Sequence, residues 1–140
     1  MVIELYPDSE PARRAHLKMQ IDVAALYIDR QKAKGRKRRE IEKRINEAVE
    51  NWNLKWGKGP NYFDLHGMTL QGAKTFVARM ILRAEKPKLY FEVGQGHHSF
   101  NGIPLIKLGL LNKYRKAISV CEWNKGILVL NVSKVMNGHY

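Results

Sequence analysis

A chain of 140 residues that is 44% hydrophobic holds enough apolar material for one core with an appendage, and too much for wholesale disorder. No apolar run reaches the roughly 18 residues that a membrane helix needs, and the first residues lack the apolar block of a signal peptide, so no membrane partner is expected. The one cysteine, Cys121, excludes an internal disulfide and a multi-cysteine metal centre, and it fits a reducing, cytoplasmic setting.

Charge is the strongest bulk signal. Twenty-five Lys and Arg against 13 Asp and Glu give a net charge of +12 and a pI near 10.0. The excess is spread over both halves, with 14 basic and 9 acidic groups in residues 1–58 and 11 and 4 in residues 59–140. Such a balance favours a polyanionic partner, nucleic acid first.

In chain order, Ser9 can cap a first helix with Glu10 and Pro11 in its opening turn, where a missing N–H costs nothing. Leu17, Ile21, Ala24 and Ile28 recur at helical spacing and predict the buried stripe of that helix. Gly35 is a break, after which Ile41, Ile45, Ala48, Val49 and Trp52 mark a second helix. The two read as a helical hairpin over residues 1–58, with Trp52 and Trp56 in its core. Nine basic residues lie between Arg30 and Arg44. Of these, Arg36, Lys37, Arg38 and Arg39 form the densest run, a candidate phosphate-binding surface. Gly57, Gly59 and Pro60 make a short linker.

A second unit is expected over residues 61–140, where the pattern changes to alternation of strand and helix. A strand at 62–66 precedes a helix from about Thr69 to Ala84, with Leu70, Ala73, Val77, Met80 and Ile81 on one side. A strand from Lys88 to Val93 buries Leu89, Phe91 and Val93; a Gly-, His- and Ser-rich loop and a helix from about Ile103 to Tyr114 follow. Ile118 to Trp123 and Ile127 to Ser133 read as two strands joined by the turn Asn124-Lys125-Gly126. The order β-α-β-α-β-β predicts an α/β two-layer sandwich. Right-handed crossovers place both helices on one face of a four-stranded mixed sheet, preceded by the helical hairpin.

Side chains alternate along a strand, so Asp64 and His66 project together while Phe63 and Leu65 face the other way. The glycines of Val93-Gly-Gln-Gly-His-His-Ser99 let backbone N–H groups turn toward an anion, with a helix start beyond. The C-terminal ends of parallel strands lie side by side, and ligands bind there. Asp64, His66, Gly94, Gln95, Gly96, His97, His98 and Ser99 are therefore expected to converge on one phosphodiester. His66 can exchange a proton near neutral pH, Asp64 can orient it, and Lys107 can neutralise charge on the phosphorane. The metal-free chemistry open to this set is attack of a 2′-hydroxyl on the adjacent phosphorus. Its rival is metal binding by Asp64, His66 and His98; with no cysteines nearby and no second carboxylate expected beside Asp64, the metal-free, cofactor-free reading is preferred.

Phe63-Asp64-Leu65-His66-Gly67, followed by a helix, a strand and Gly94-Gln95-Gly96, resembles the Smr (small MutS-related) domain with its Asp-Leu-His-Gly and Thr-Gly-x-Gly motifs. The likeness covers roughly residues 61–134. His98-Ser99, Gly102 and Ile106-Lys107 look most like the eukaryotic Smr endonucleases of no-go mRNA decay. Residues 25–56 are more weakly similar to the helical region preceding Smr there. The resemblance implies a fold similar to the C-terminal domain of bacterial translation initiation factor three. It also implies nuclease activity, on RNA in the eukaryotic subgroup and as DNA nicking in the bacterial relatives. Carried over, Asp64 and His66 stand at the family's Asp-x-His, and Gly94 and Gly96 at its glycine loop. The family's Thr is Val93 here, the subgroup's Arg between the glycines is Gln95, and a later Arg is Leu105.

The expectation is therefore an endoribonuclease domain that cleaves single-stranded mRNA at stalled or collided ribosomes. His66 and Asp64 are its catalytic pair. The glycine loop, His97, His98, Ser99, Lys107 and Arg36 to Arg39 are its RNA contacts. The alternatives are a non-catalytic RNA- or ribosome-binding module and a DNA nickase.

Overall fold

The computed structural model describes residues 9–94 and 104–138. Two long helices open the chain, α1 (Glu10–Lys32) and α2 (Gly35–Trp56). Ser9 Oγ accepts the Ala12 N–H at 3.2 Å, with Pro11 in the first turn. The helices separate at Ala33 and Lys34, and Gly35 takes φ +59°, a left-handed geometry that suits glycine. They pack as the expected hairpin.

The buried face of α1 differs from the one its aliphatic periodicity predicts. Ala12, Met19 and Val23 are buried, whereas Leu17, Ile21 and Ile28 are more than half exposed. The buried face meets Ile41, Ile45, Val49 and Trp52 of α2, and Leu26 and Tyr27 pack partly buried against the same core.

The rest is the expected α/β two-layer sandwich. Strand β1 (Tyr62–Asp64) leads to α3 (Leu70–Arg83), β2 (Lys88–Glu92), α4 (Leu105–Tyr114), a 3-10 turn at Arg115–Ala117, β3 (Ile118–Cys121) and β4 (Asn124–Asn131). The sheet order is β1-β2-β4-β3, with β1 and β2 parallel and the other pairs antiparallel. Thr69 caps α3 by accepting the Gly72 N–H at 3.0 Å.

The β3–β4 turn falls at Glu122 and Trp123 rather than at Asn124-Lys125-Gly126. A bulge between Val120 and Cys121 shifts the register so that Cys121 pairs Asn124. Asn124 instead folds its side chain onto the Gly126 N–H at 2.9 Å. Strand β4 ends at Asn131, whose Oδ1 accepts the Lys134 N–H at 3.1 Å and caps a short α5 (Val132–Met136) where further strand was expected.

One core runs through both parts. Phe63, Leu65, Leu89 and Phe91 on the helix side of the sheet meet Phe76, Val77 and Leu110 of α3 and α4, and the same core continues into Met19, Val23, Ile45 and Val49. Phe63 lies 5.4 Å from Phe76 and 5.7 Å from Phe91, centroid to centroid. Truncating a fully buried ring such as Phe76 costs about 3–5 kcal/mol. The hairpin is thus built into the fold, packing on α3 and β1. The other sheet face carries a smaller cluster of Tyr62, Cys121 and Ile127 with Tyr90 and Val129. Among the described residues no helix is long and apolar enough to cross a membrane.

Candidate active site

The site lies at the C-terminal ends of the two parallel strands. Strand β1 is an edge strand, and α2 covers its exposed backbone with one side chain. Asn53 donates to the Asp64 carbonyl at 2.7 Å and accepts the Asp64 N–H at 2.8 Å. The amide stands in for a neighbouring strand, as a buried edge requires. Asp64 is thereby fixed at both backbone groups.

Past Asp64 the chain turns. Asp64 Oδ1 accepts the His66 backbone N–H at 2.9 Å, an Asx turn. The same oxygen lies 2.8 Å from His66 Nδ1. One carboxylate oxygen thus sets both the turn and the ring, and the expected projection of Asp64 and His66 to one side is what the structure has. Gly67 follows at φ +89°; a Cβ there would stand 3.4 Å from Val23 and 3.5 Å from Val49. Tyr27 of α1 donates its hydroxyl to the Gly67 carbonyl at 2.7 Å. Asn46 of α2 accepts the Thr69 N–H at 2.9 Å and donates to Thr69 Oγ1 at 3.0 Å. Both hairpin helices therefore hold the turn that carries His66.

Opposite stands Gly94, at φ +71°. A Cβ on it would lie 2.6 Å from His66 Nε2. Its own N–H is given to the Gly126 carbonyl at 3.2 Å. What Gly94 contributes is room for the imidazole, while its amide serves the sheet. The ring is 47% exposed, whereas the Asp64 side chain is 3% exposed. A buried carboxylate therefore backs an accessible imidazole.

Two groups that sequence reasoning missed complete the environment. Glu92 pairs Asp64 across β1 and β2. Its Oε1 lies 3.8 Å from His66 Nδ1, and its Oε2 accepts from the Tyr62 hydroxyl at 3.2 Å. His16 of α1 places Nε2 3.4 Å from Asp64 Oδ2 and sets its ring edge-on to Trp52 at 4.7 Å. The alternation around Glu92 marks it as outward-facing, but only the register shows that it meets Asp64. No local pattern points to His16.

The electrostatics follow from this crowding. Burial pushes the Asp64 carboxyl up, but contacts from His16 and His66 outweigh it and hold the group at about 2. The hydrogen bond to Asp64 raises His66 above 6.5 against the opposing effect of burial, and the charges of Asp64 and Glu92 add to the rise. Burial, with the Asp64 charge beside it, pushes Glu92 up to about 7.

Asp64, His66 and Glu92 each offer a ligand atom within 4.8 Å of the others, so this trio can hold a metal ion. It differs from the expected trio, whose third member, His98, lies outside the described residues, and it corrects the expectation that no second carboxylate stands beside Asp64, because strand register brings Glu92 there. To bind at Nδ1 and Oδ1, a metal would have to replace the 2.8 Å His66–Asp64 contact.

Of the other expected residues, Lys107 donates to the Lys125 carbonyl at 2.9 Å, one residue before Gly126, whose absent Cβ would lie 3.6 Å from Gly94 Cα. Its ammonium is thus tethered near the glycine side of the site. Arg36, Lys37, Arg38 and Arg39 occupy the first turn of α2, with no acid among them. They are not part of the His66 cluster, although Arg39 lines a groove between α2 and α3 that shares Arg30, Thr69 and Leu70 with the cleft beside His66. Gln95, Gly96, His97, His98 and Ser99 lie outside the described residues.

Fold and site define an α/β sandwich with a carboxylate-backed imidazole at the mouth of a parallel strand pair. Comparison of the chain with protein-family models, with curated proteins and with solved structures finds no match.

Proposed function

We propose that this chain is an endoribonuclease domain that cleaves single-stranded mRNA, at stalled or collided ribosomes, by a metal-independent mechanism centred on His66 and Asp64. The observation that carries the reading is the pair itself. Nδ1 of His66 is committed to Asp64 at 2.8 Å, while Nε2 lies beside Gly94 on a half-exposed ring. Asp64 fixes the tautomer that leaves Nε2 free to accept a proton, and its charge favours the imidazolium that results. The 2′-hydroxyl gives its proton to Nε2 as its oxygen bonds to phosphorus. The bond from phosphorus to the 5′-oxygen then breaks, that oxygen takes a proton from water, and the imidazolium returns its proton to the resulting hydroxide, which restores neutral His66. The products are a 2′,3′-cyclic phosphate and a 5′-hydroxyl. Lys107, whose ammonium is held by the Lys125 carbonyl, would offset charge on the phosphorane.

The net charge of +12 supports a polyanionic substrate. So does the start of α2. Basic residues in a first turn oppose the helix dipole, at about 0.3–1 kcal/mol each where exposed. The arrangement favours a bound anion, which the helix end and the side chains would attract together. The resemblance to Smr endonucleases supports the RNA and ribosome assignment.

A second reading, a binding module without catalysis, is favoured by Gln95, uncharged where the similar nucleases carry Arg. Labelled single-stranded RNA and a matched DNA, each incubated with wild type and His66→Ala with and without chelator, separate the readings. RNA cleavage that survives chelator and disappears in the variant supports the proposal. Tight binding with the RNA left intact favours the module, and cutting of DNA alone favours a nickase.

A further inference from the structure

Beside His66 opens a cleft of about 650 Å³, separate from the α2–α3 groove with which it shares Arg30, Thr69 and Leu70. Besides the turn from His66 to Leu70, two distant pieces of chain line it: Tyr27, Arg30 and Gln31 from the end of α1, and Leu105 and Ile106 at the start of α4. The volume falls in the range of small-molecule sites. Its composition is uneven, with apolar groups on the α4 side and an aromatic, a guanidinium and an amide on the α1 side.

Three details bear on what such a cleft takes. Leu105 is 58% exposed although it is a large apolar side chain at the rim of a polar site. The Arg30 guanidinium lies over the Tyr27 ring at 5.6 Å and is held by Glu42 at 2.9 Å, so it is positioned and half-neutralised. Gln31 is exposed, and its side chain makes no hydrogen bond with another described residue. A free phosphate would be better served by an unpaired cation than by Arg30. A flat ring with a hydrogen-bonding edge suits the cleft better, apolar on its faces and polar at its rim.

We propose that this cleft is a nucleobase subsite, where Leu105 and Ile106 pack on the face of the base next to the reacting phosphate and Gln31 meets its edge. The inference rests on the reading of His66 as the centre that acts on nucleic acid, and it deepens that reading. The helical hairpin then supplies part of the substrate site as well as support for the sheet. An amide, which both donates and accepts, tolerates more than one base edge.

The test uses the full chain and two probes, adenosine 5′-monophosphate and ribose 5-phosphate, which share the phosphate and sugar and differ by the base. Amide shifts in an NMR titration report binding. The nucleotide should bind about tenfold or more tighter than ribose 5-phosphate, with shifts at Gln31, Gly67 and Leu105. Leu105→Ser and Gln31→Ala, both at exposed positions, should each weaken nucleotide binding about three- to tenfold and leave ribose 5-phosphate unchanged. Equal binding of the two probes, or variants that bind the nucleotide as wild type does, would overturn the subsite. RNA cleavage is scored separately on the same samples. An intact subsite in a protein that never cuts RNA would remove the catalytic reading alone, and cutting without base-dependent binding would remove the subsite alone.

Discussion

His66 Nε2 occupies the space that a side chain on residue 94 would need, 2.6 Å from where its Cβ would stand. The imidazole can sit where it does only because residue 94 is glycine. Gly94→Ala should displace the ring and also strain a backbone at φ +71°. A loss of about 1–2 kcal/mol in stability is expected. Activity should fall much further, by about a hundredfold or more. Thermal melts and RNA cleavage on the same variant check both. Near-normal cleavage would mean that the ring need not sit where it does.

Asp64 should control both the proton and the fold. Its folded value of about 2 lies below the ordinary 3.8. Its contribution is therefore present above about pH 4 and lost as pH falls toward about 2, amounting to about 2 kcal/mol. Asp64→Asn should flatten that part of the stability–pH curve. It should also return the His66 titration to a lower pH, read from the ring resonances, and reduce cleavage by about 10²–10⁴-fold.

Glu92 gives the opposite sign. Its folded value, about 7, exceeds 4.5. Its contribution is complete below about pH 4.5 and declines as pH rises through about 7. Glu92→Gln keeps an acceptor for the Tyr62 hydroxyl and removes the charge beside Asp64. The variant should be more stable than wild type at about pH 8, by on the order of 1–3 kcal/mol, and closer to it at about pH 5. Melting temperatures across that range measure it. A variant less stable at every pH would show that the glutamate is held as a favourable anion.

Asn53→Ala should unpair the backbone of β1 at Asp64, leaving one buried donor and one buried acceptor without the amide that serves them. Two lost hydrogen bonds with their desolvation suggest a cost of about 2–4 kcal/mol. Denaturant unfolding gives the number. Hydrogen exchange at the Asp64 amide should accelerate by more than it does elsewhere in the sheet.

The fold was legible where periodicity and punctuation agreed. Thr69 before an amphipathic run, Leu89, Phe91 and Val93 on one face of a strand, and the β-rich run from Ile127 onward each pointed to one element. Where they disagreed, packing decided. In α1 the large aliphatics Leu17, Ile21 and Ile28 lie outside, while Met19 and Val23, with Leu26 and Tyr27 partly buried, belong to the shared core. At the β3–β4 turn Asn124-Lys125-Gly126 has turn chemistry, yet a bulge that no composition signals moves the reversal to Glu122 and Trp123.

The site was legible in the same partial way. Asp64 and His66 are two apart on one chain segment, but the expected strand through residue 66 stops at Asp64, and an Asx turn rather than strand alternation brings the pair together. Gly94 followed from the parallel crossover. Glu92, His16 and Asn53 were not visible, since each meets Asp64 only through strand register or helix docking. The motif alone accounts for the raised His66, whereas the pull of His16 on Asp64 and the rise of Glu92 depend on these long-range contacts.

The pH dependence of single-turnover RNA cleavage, run in chelator from about pH 5 to about pH 9, tests the central claim most directly. Wild type should rise tenfold per pH unit and level off through an inflection above 6.5 that matches the His66 ring titration. Asp64→Asn should move that inflection to lower pH, and His66→Ala should abolish cleavage. A flat profile, or His66→Ala cutting RNA at the wild-type rate, would contradict the account.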